Sequence, residues 1–227
     1  MRYTAVFFDR DGTLTHGNEQ KGAWLMDTIS RWSGRTYELP YEKMTALFHE
    51  ASYGCVKDVE TEKAFWKRYY RCLLKGEGIS ESLDTRSIML FNELWCENNP
   101  PSPYPETVEV LEYFGSRGYR MGVISNTSPS LELTLQKAGI AKYFTSFTAS
   151  SLAGASKPSP IIFNAALRAQ GVTAAESLYV DDYNVLADGA REQGFTSFLI
   201  NREDVSGAKW VIRSLKEMVD YMEKDHD

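Results

Sequence analysis

Apolar residues follow two rhythms along this chain. Ala5-Val6-Phe7-Phe8 is a continuous apolar run, too short for a helix and rich in aromatic and branched side chains, so it reads as a strand buried on both faces. Gly12 breaks the chain just after it. From Gly22 to about Glu97 the rhythm is helical: Trp24, Leu25, Ile29 and Trp32 recur at turn spacing, then Met44, Leu47 and Phe48, then Phe65, Tyr69, Cys72 and Leu73, then Ile88, Phe91, Leu94 and Trp95. This block predicts about four helices in a small bundle, with Pro40 in the first turn of one of them. Asn98-Asn99-Pro100-Pro101-Ser102-Pro103-Tyr104-Pro105 closes it. The prolines forbid helix, and the stretch reads as a hinge strut, although composition alone fits an ordinary loop equally well.

From Glu106 helix and strand alternate. Val108, Leu111 and Phe114 mark a helix ended by Gly115 and Gly118, followed by a strand over Tyr119–Ile124. Ser128 reads as an N-cap with Pro129 at the first helical position, ahead of Leu131, Leu135 and Ala138. A short strand over Phe144–Thr148, a helix after Lys157-Pro158-Ser159-Pro160, a strand over Ser177–Val180, a helix over Val185–Gln193, a strand over Thr196–Ile200 and an amphipathic helix over Ser214–Lys224 complete the pattern. Such alternation predicts an α/β fold: a Rossmann-like doubly wound parallel sheet with helices on both faces. The expected organisation is an α/β core from residues 1–15 and 104–227, with an α-helical cap over 16–103 inserted after the first strand.

Composition narrows the function. With 43% hydrophobic residues in 227, a sizeable core can form. A net charge of -6 and the lack of any basic run argue against nucleic acid and against an anionic membrane surface. No stretch is long enough to span a bilayer. Asp9, Arg10 and Asp11 interrupt the first apolar run too early for a signal peptide. The odd, widely spaced Cys55, Cys72 and Cys96 show no metal spacing and read as reduced residues packed in helices, so the expected compartment is cytoplasmic.

The chemistry gathers at strand ends. Asp9 and Asp11 follow the first strand, at the sheet edge where open α/β folds bind ligands. Two acids this close repel unless a cation or a proton separates their roles. Asp9 is placed as a nucleophile and Asp11 as a general acid/base; an Asx-turn with two solvated acids is the plain alternative. Three further sites share the strand-end position: Ser125 with Asn126, Lys157, and Asp181 with Asp182. Taken singly these are a turn or cap serine, a solvated lysine and a helix-capping acid pair; together they have a logic. The four carboxylates with Lys157 sum to -3, which no phosphate dianion could enter. A bound Mg²⁺ brings the total to about -1 and a proton on Asp11 to about 0, so a hard divalent cation with oxygen ligands is called for. Ser125, Asn126 and nearby backbone N–H groups then remain to hold phosphate oxygens.

At these residues the chain resembles the haloacid dehalogenase superfamily of hydrolases, in its phosphatase-type, phosphoglycolate phosphatase-like and β-phosphoglucomutase-like group. Phe8-Asp9-Arg10-Asp11-Gly12-Thr13-Leu14 is similar to the family's first motif, Val123-Ile124-Ser125-Asn126-Thr127 to the second, Ala155 to Phe163 to the third, and Tyr179-Val180-Asp181-Asp182 with Gly189-Ala190 to the fourth. The likeness covers the first fifteen residues and about Tyr104 to Arg202; the insert matches only in position, size and helical texture. It implies that Asp9 attacks phosphorus and that Asp11 protonates the leaving oxygen and then activates water. It implies Mg²⁺ held by Asp9, the Asp11 main-chain carbonyl and Asp182, with Asp181 acting directly or through water. Thr13, Ser125, Asn126 and Lys157 would orient and neutralise the phosphate.

Two departures stand out. Leu186 sits where many relatives carry another Asp or Asn, so Asp181 supplies the outer carboxylate. Arg10 resembles sugar-phosphate and histidinol-phosphate phosphatases, whose cysteine-rich zinc loop and lack of a large cap do not fit this chain. Family dehalogenases lack an acid where Asp11 stands, which favours phosphoryl chemistry. The expected activity is Mg²⁺-dependent hydrolysis of a small phosphorylated metabolite by a monomer or homodimer. Trp24, Arg31, Trp66 and Arg68 are the insert's candidates for facing the leaving group. A phosphomutase of the same fold, and a non-catalytic binding or regulatory protein, are the rival readings.

Overall fold

Continuous apolar strands need cover on both faces, and the chain supplies it. The structure, a computed structural model, describes residues 2–204 and 206–224. In chain order the elements are β1 (Ala5–Phe8), β2 (Thr15–His16), α1 (Glu19–Ser33), α2 (Tyr41–Glu50), α3 (Val59–Gly76), α4 (Leu83–Leu94), β3 (Ser102–Pro103), α5 (Thr107–Ser116), β4 (Arg120–Ser125), α6 (Leu131–Lys137), β5 (Ser146–Ala149), α7 (Ser150–Ala153), α8 (Pro160–Gln170), β6 (Ser177–Asp181), α9 (Asn184–Glu192), β7 (Thr196–Ile200), β8 (Val211–Ile212) and α10 (Lys216–Lys224). They fall into two compact units, Met1–His16 with Ser102–Asp227, and Gly17–Pro101.

The first unit is built on a six-stranded sheet of order β5-β4-β1-β6-β7-β8, with every pairing parallel. Its strand β1 is wholly buried, and its alternating side chains feed two cores. Val6 and Phe8 join Val110, Phe114, Val123 and Val180 on one face; Ala5 and Phe7 join Ile162, Phe163, Tyr179 and Phe195 on the other. The strand order reverses at β1, between β4 and β6. Such a switch point opens a crevice at the carboxyl ends of the strands.

The helical unit stands on its own caps and rings. Asn18 caps α1 through the Lys21 N–H, Asp58 and Thr61 form a capping box at α3, and Gly34 ends α1 in the left-handed region. Phe48, Tyr53, Phe65, Trp66 and Tyr69 pack as a ring cluster with centroids 5.0–6.1 Å apart. The insert's four candidates for substrate contact all have partners within this unit. Trp66 lies in the ring cluster, Trp24 lies under Lys21, Arg31 pairs with Asp27, and Arg68 donates to the Ala51 carbonyl.

Local details depart from the sequence expectations. The helix after β4 begins at Leu131, with Ser130 in the cap position, because the chain from Asn126 to Thr127 is held as an open loop. Within that loop the Thr127 carbonyl accepts from Ser150 and Ser151, and its hydroxyl accepts from Arg10. Pro40 precedes α2 instead of lying inside it. Thr15–His16 pairs antiparallel with Ser102–Pro103, a ribbon too short to leave a period in the sequence. None of the three cysteines forms a disulfide, and only Cys72 lies in an α-helix. No helix among the described residues is long and apolar enough to cross a membrane.

Candidate active site

The site grows from the carboxyl end of β1. The Asp9 N–H donates to the Val180 carbonyl at 2.9 Å, which extends the β1–β6 ladder by one residue and sets Asp9 beside the tip of β6. There Asp181 ends the strand and Asp182 follows it. The carboxylates of Asp9, Asp181 and Asp182 offer oxygens that all lie within 4.8 Å of one another. Close approach needs room, and Gly12 gives it. Its φ is +75°, and a Cβ there would stand 1.9 Å from Asp182 Oδ2.

Lys157 reaches this cluster from the loop between α7 and α8. Its side chain is 1% exposed, and its Nζ donates to Asp9 Oδ1 at 2.6 Å, Asp181 Oδ2 at 2.7 Å and the Tyr179 hydroxyl at 3.0 Å. An ammonium has three hydrogens, and all three are used. The Tyr179 hydroxyl in turn donates to Asp181 Oδ2 at 2.5 Å, while the Tyr183 N–H donates to Asp181 Oδ1 at 2.9 Å. Both oxygens of Asp181 are therefore engaged. The loop carrying Lys157 is clamped from two sides. Asn126 Oδ1 accepts from the Lys157 N–H at 2.7 Å and its Nδ2 donates to the Lys157 carbonyl at 3.2 Å. Behind it, Gly189 of α9 lets Pro158 pack so closely that a Cβ would meet Pro158 Cβ at 2.4 Å.

Burial and charge fix the proton affinities. Burial pushes the Asp9 carboxyl up to about 7 against the pull of Lys157, with Asp181 pushing it further. Burial, and then Asp181, also raise Asp182. Burial lowers Lys157, yet the two carboxylates beside it outweigh that and hold it above its usual range. Tyr179 is driven well above the ordinary phenol, by burial first and Asp181 second.

The sequence-predicted residues divide accordingly. Asp9, Lys157, Asp181 and Asp182 converge. The Asp11 side chain is 61% exposed and lies in a two-pronged contact with Arg10, 3.0 Å from Nε to Oδ1 and 2.6 Å from Nη2 to Oδ2, outside the three-carboxylate cluster. Arg10 also reaches Thr127 Oγ1 at 3.0 Å, tying the loop after β1 to the loop after β4. The charge balance changes with it: Arg10 offsets Asp11, and the three clustered carboxylates with Lys157 leave -2. Ser125 is buried at the end of β4. Thr13 is fully buried, and its hydroxyl has no hydrogen-bond partner among the described residues. Asn126 holds the Lys157 backbone with both ends of its amide. Tyr179 was not foreseen. The available signal was its place two residues before Asp181, on the same face of the same strand.

Three carboxylates with a residual charge of -2 and an unpartnered hydroxyl suit a hard divalent cation and an anionic ligand. The family model for haloacid dehalogenase-like hydrolases matches residues 3–192. The chain belongs to this family. Among curated proteins it is 36% identical over 208 residues to a glyceraldehyde 3-phosphate phosphatase of Methanothermobacter thermautotrophicus, covering 88% of this chain and 86% of that one. It is 29% identical over 209 residues to a Mycobacterium tuberculosis protein named phosphatase MT3486, covering 89% of each. Among solved structures, a 2-haloacid dehalogenase from Pseudomonas syringae superposes with a TM-score of 0.70 over 98% of this chain and 99% of that one, at 20% identity, which shows the shared fold.

Proposed function

We propose that this haloacid dehalogenase-like hydrolase is a Mg²⁺-dependent phosphatase that cleaves a small phosphomonoester through a phospho-aspartyl intermediate on Asp9. The observation that carries the reading is the buried Lys157 ammonium shared between Asp9 and Asp181, with Asp182 beside them. Two relatives that match along most of the chain are named phosphatases, one of them for a three-carbon sugar phosphate. Residues 1–15 and 104–227 form the catalytic core in this reading and 16–103 the cap, in a cytoplasmic enzyme whose cysteines stay reduced.

Asp9, Asp182 and the Asp11 main-chain carbonyl are the proposed holders of Mg²⁺, with Asp181 in the outer position because both its oxygens already accept hydrogen bonds. Bound there, the ion neutralises the carboxylates and the phosphoryl oxygens beside them. The chain's own residues do the rest. Lys157 pulls the proton affinity of Asp9 down against its burial and holds one of its oxygens, which favours the ionised nucleophile. The Asp9 oxygen forms a bond to phosphorus as the ester P–O bond breaks, and Asp11 gives its proton to the leaving alkoxide. Asp11 then takes a proton from water, whose oxygen attacks the aspartyl-phosphate, freeing inorganic phosphate and restoring Asp9. The Asp11 carboxyl is exposed, so it can leave its two-pronged contact with Arg10 to take up a proton and reach the ester oxygen and water. Thr13 and Ser125 supply hydroxyl donors to the phosphoryl oxygens, in keeping with a transfer governed by position and charge.

A phosphate-release screen over a panel of phosphorylated metabolites tests the proposal. The wild type releases phosphate from at least one ester, EDTA stops it, added Mg²⁺ restores it, and Asp9→Asn stays folded and inactive. Turnover that survives thorough chelation, or an active Asp9→Asn protein, overturns it.

A further inference from the structure

The loop that follows Asp9 has five successive carbonyls, from Arg10 to Leu14, and four of them are taken. The Arg10 carbonyl accepts from the N–H groups of Leu14 and Thr15 and the Thr15 hydroxyl, and the Leu14 carbonyl accepts from the Tyr104 N–H and the Thr107 hydroxyl. The carbonyls of Gly12 and Thr13 accept from one side chain far along the chain: Arg202 donates Nη1 to the first at 2.8 Å and Nη2 to the second at 3.0 Å. The same Nη2 reaches Glu106 at 3.0 Å, and the guanidinium lies 3.4 Å from the centre of the Tyr104 ring. Only the Asp11 carbonyl accepts no hydrogen bond among the described residues.

A trans peptide is planar, so its C=O and the following N–H point in opposite directions. Holding the Gly12 carbonyl therefore also fixes the direction of the Thr13 N–H, which has no acceptor among the described residues. Gly12 carries no side chain that packing could grip, and its φ of +75° is open to rearrangement. The guanidinium fork supplies the missing constraint. It is planar and always charged, and its two donors span neighbouring oxygens as an ammonium cannot.

We propose that Arg202, braced by Glu106 and Tyr104, is a positioning residue for the reaction: it locks the Gly12–Thr13 peptides so that the Thr13 N–H and hydroxyl meet the phosphoryl oxygens while the Asp11 carbonyl stays free for the cation. The inference rests on the phosphatase reading for what the loop binds. The clamp itself stands on the contacts above. In this reading Arg202 acts on the backbone of the loop, through the Gly12 and Thr13 carbonyls.

Arg202→Met keeps the stem over Tyr104 and removes the fork; Arg202→Lys keeps the charge and serves as the milder variant should the first fail to fold. Amide hydrogen exchange over residues 10–15 speeds up in Arg202→Met. In the same variant kcat/KM falls and the inhibition constant for inorganic phosphate with Mg²⁺ rises, each about 10- to 100-fold, as is usual when a supporting residue is lost. Arg202→Lys recovers only part of each. Lys216→Met, which breaks an exposed pair with Glu109, changes none of them. Unchanged exchange at 10–15 together with unchanged phosphate inhibition in Arg202→Met overturns the proposal. A wild type that hydrolyses no ester defeats the phosphatase reading instead, and the exchange measurement, which needs no substrate, then decides on the clamp alone.

Discussion

Lys157→Met separates a structural lysine from a working one. The side chains of Lys157, Asp9 and Asp181 are 1%, 8% and 1% exposed, and the ammonium contacts the two carboxylates at 2.6 and 2.7 Å. Methionine fills the stem and removes the charge, which leaves two buried carboxylates without their cation, a change that costs about 3–5 kcal/mol. The cost depends on pH. Burial already raises Asp9 to about 7, so the native state holds a proton there that the unfolded chain, titrating near the ordinary value of 3.8, has lost. Between those values this group's contribution to stability falls as pH rises. Without Lys157 the Asp9 carboxyl rises further, and each added unit returns about 1.4 kcal/mol to the variant at acid pH. Urea unfolding in EDTA therefore shows the full deficit near pH 8 and a smaller one near pH 5.5, and Mg²⁺ narrows the gap near pH 8 by bringing positive charge to the same oxygens. Turnover falls by about 10²- to 10³-fold or more with the loss of this electrostatic group. A variant as stable as the wild type near pH 8, or a deficit that ignores pH, refutes the reasoning.

Gly12→Ala forces a Cβ onto the Asp182 carboxylate from a left-handed backbone; we expect a loss of about 1–3 kcal/mol and weaker Mg²⁺ binding by calorimetry, and wild-type affinity in a folded variant contradicts the close packing. Tyr179→Phe keeps the ring against Phe163 and Phe195 but strips the hydroxyl from Lys157 and Asp181, at about 1.5–3 kcal/mol for hydrogen bonds to charged groups, read by urea unfolding; no change shows the hydroxyl to be idle. Mg²⁺ affinity rises with pH through about 7 as Asp9 gives up its proton, and Asp182, raised in the same direction, adds to the effect. Calorimetry in buffers of different ionisation enthalpy reads the released protons, and a pH-independent affinity excludes this linkage.

Much of this protein is written locally. Ala5 to Phe8 had to be a doubly covered strand because it offers no polar face, and the alternation after Glu106 had to wind a parallel sheet because successive parallel strands need crossovers. The acids could be read as one group because each pair follows a strand, and strand ends share one edge. What stayed hidden depends on contacts between residues far apart in the chain. Lys157 looks like a solvated loop charge until the fold buries it against Asp9, 148 positions away. Asn126 holds the Lys157 backbone with both ends of its amide, a contact between loops that no local pattern announces. Asp11 counts as a fourth uncompensated acid until Arg10 folds onto it. Tyr179 reads as core, and Arg202 as a surface charge, until a hydroxyl and a guanidinium find their partners. Sequence fixes local conformation because backbone sterics and solvent transfer act on neighbouring residues. Partner choice among buried polar groups is settled only by the assembled fold, which alone decides which of them are excluded from water together.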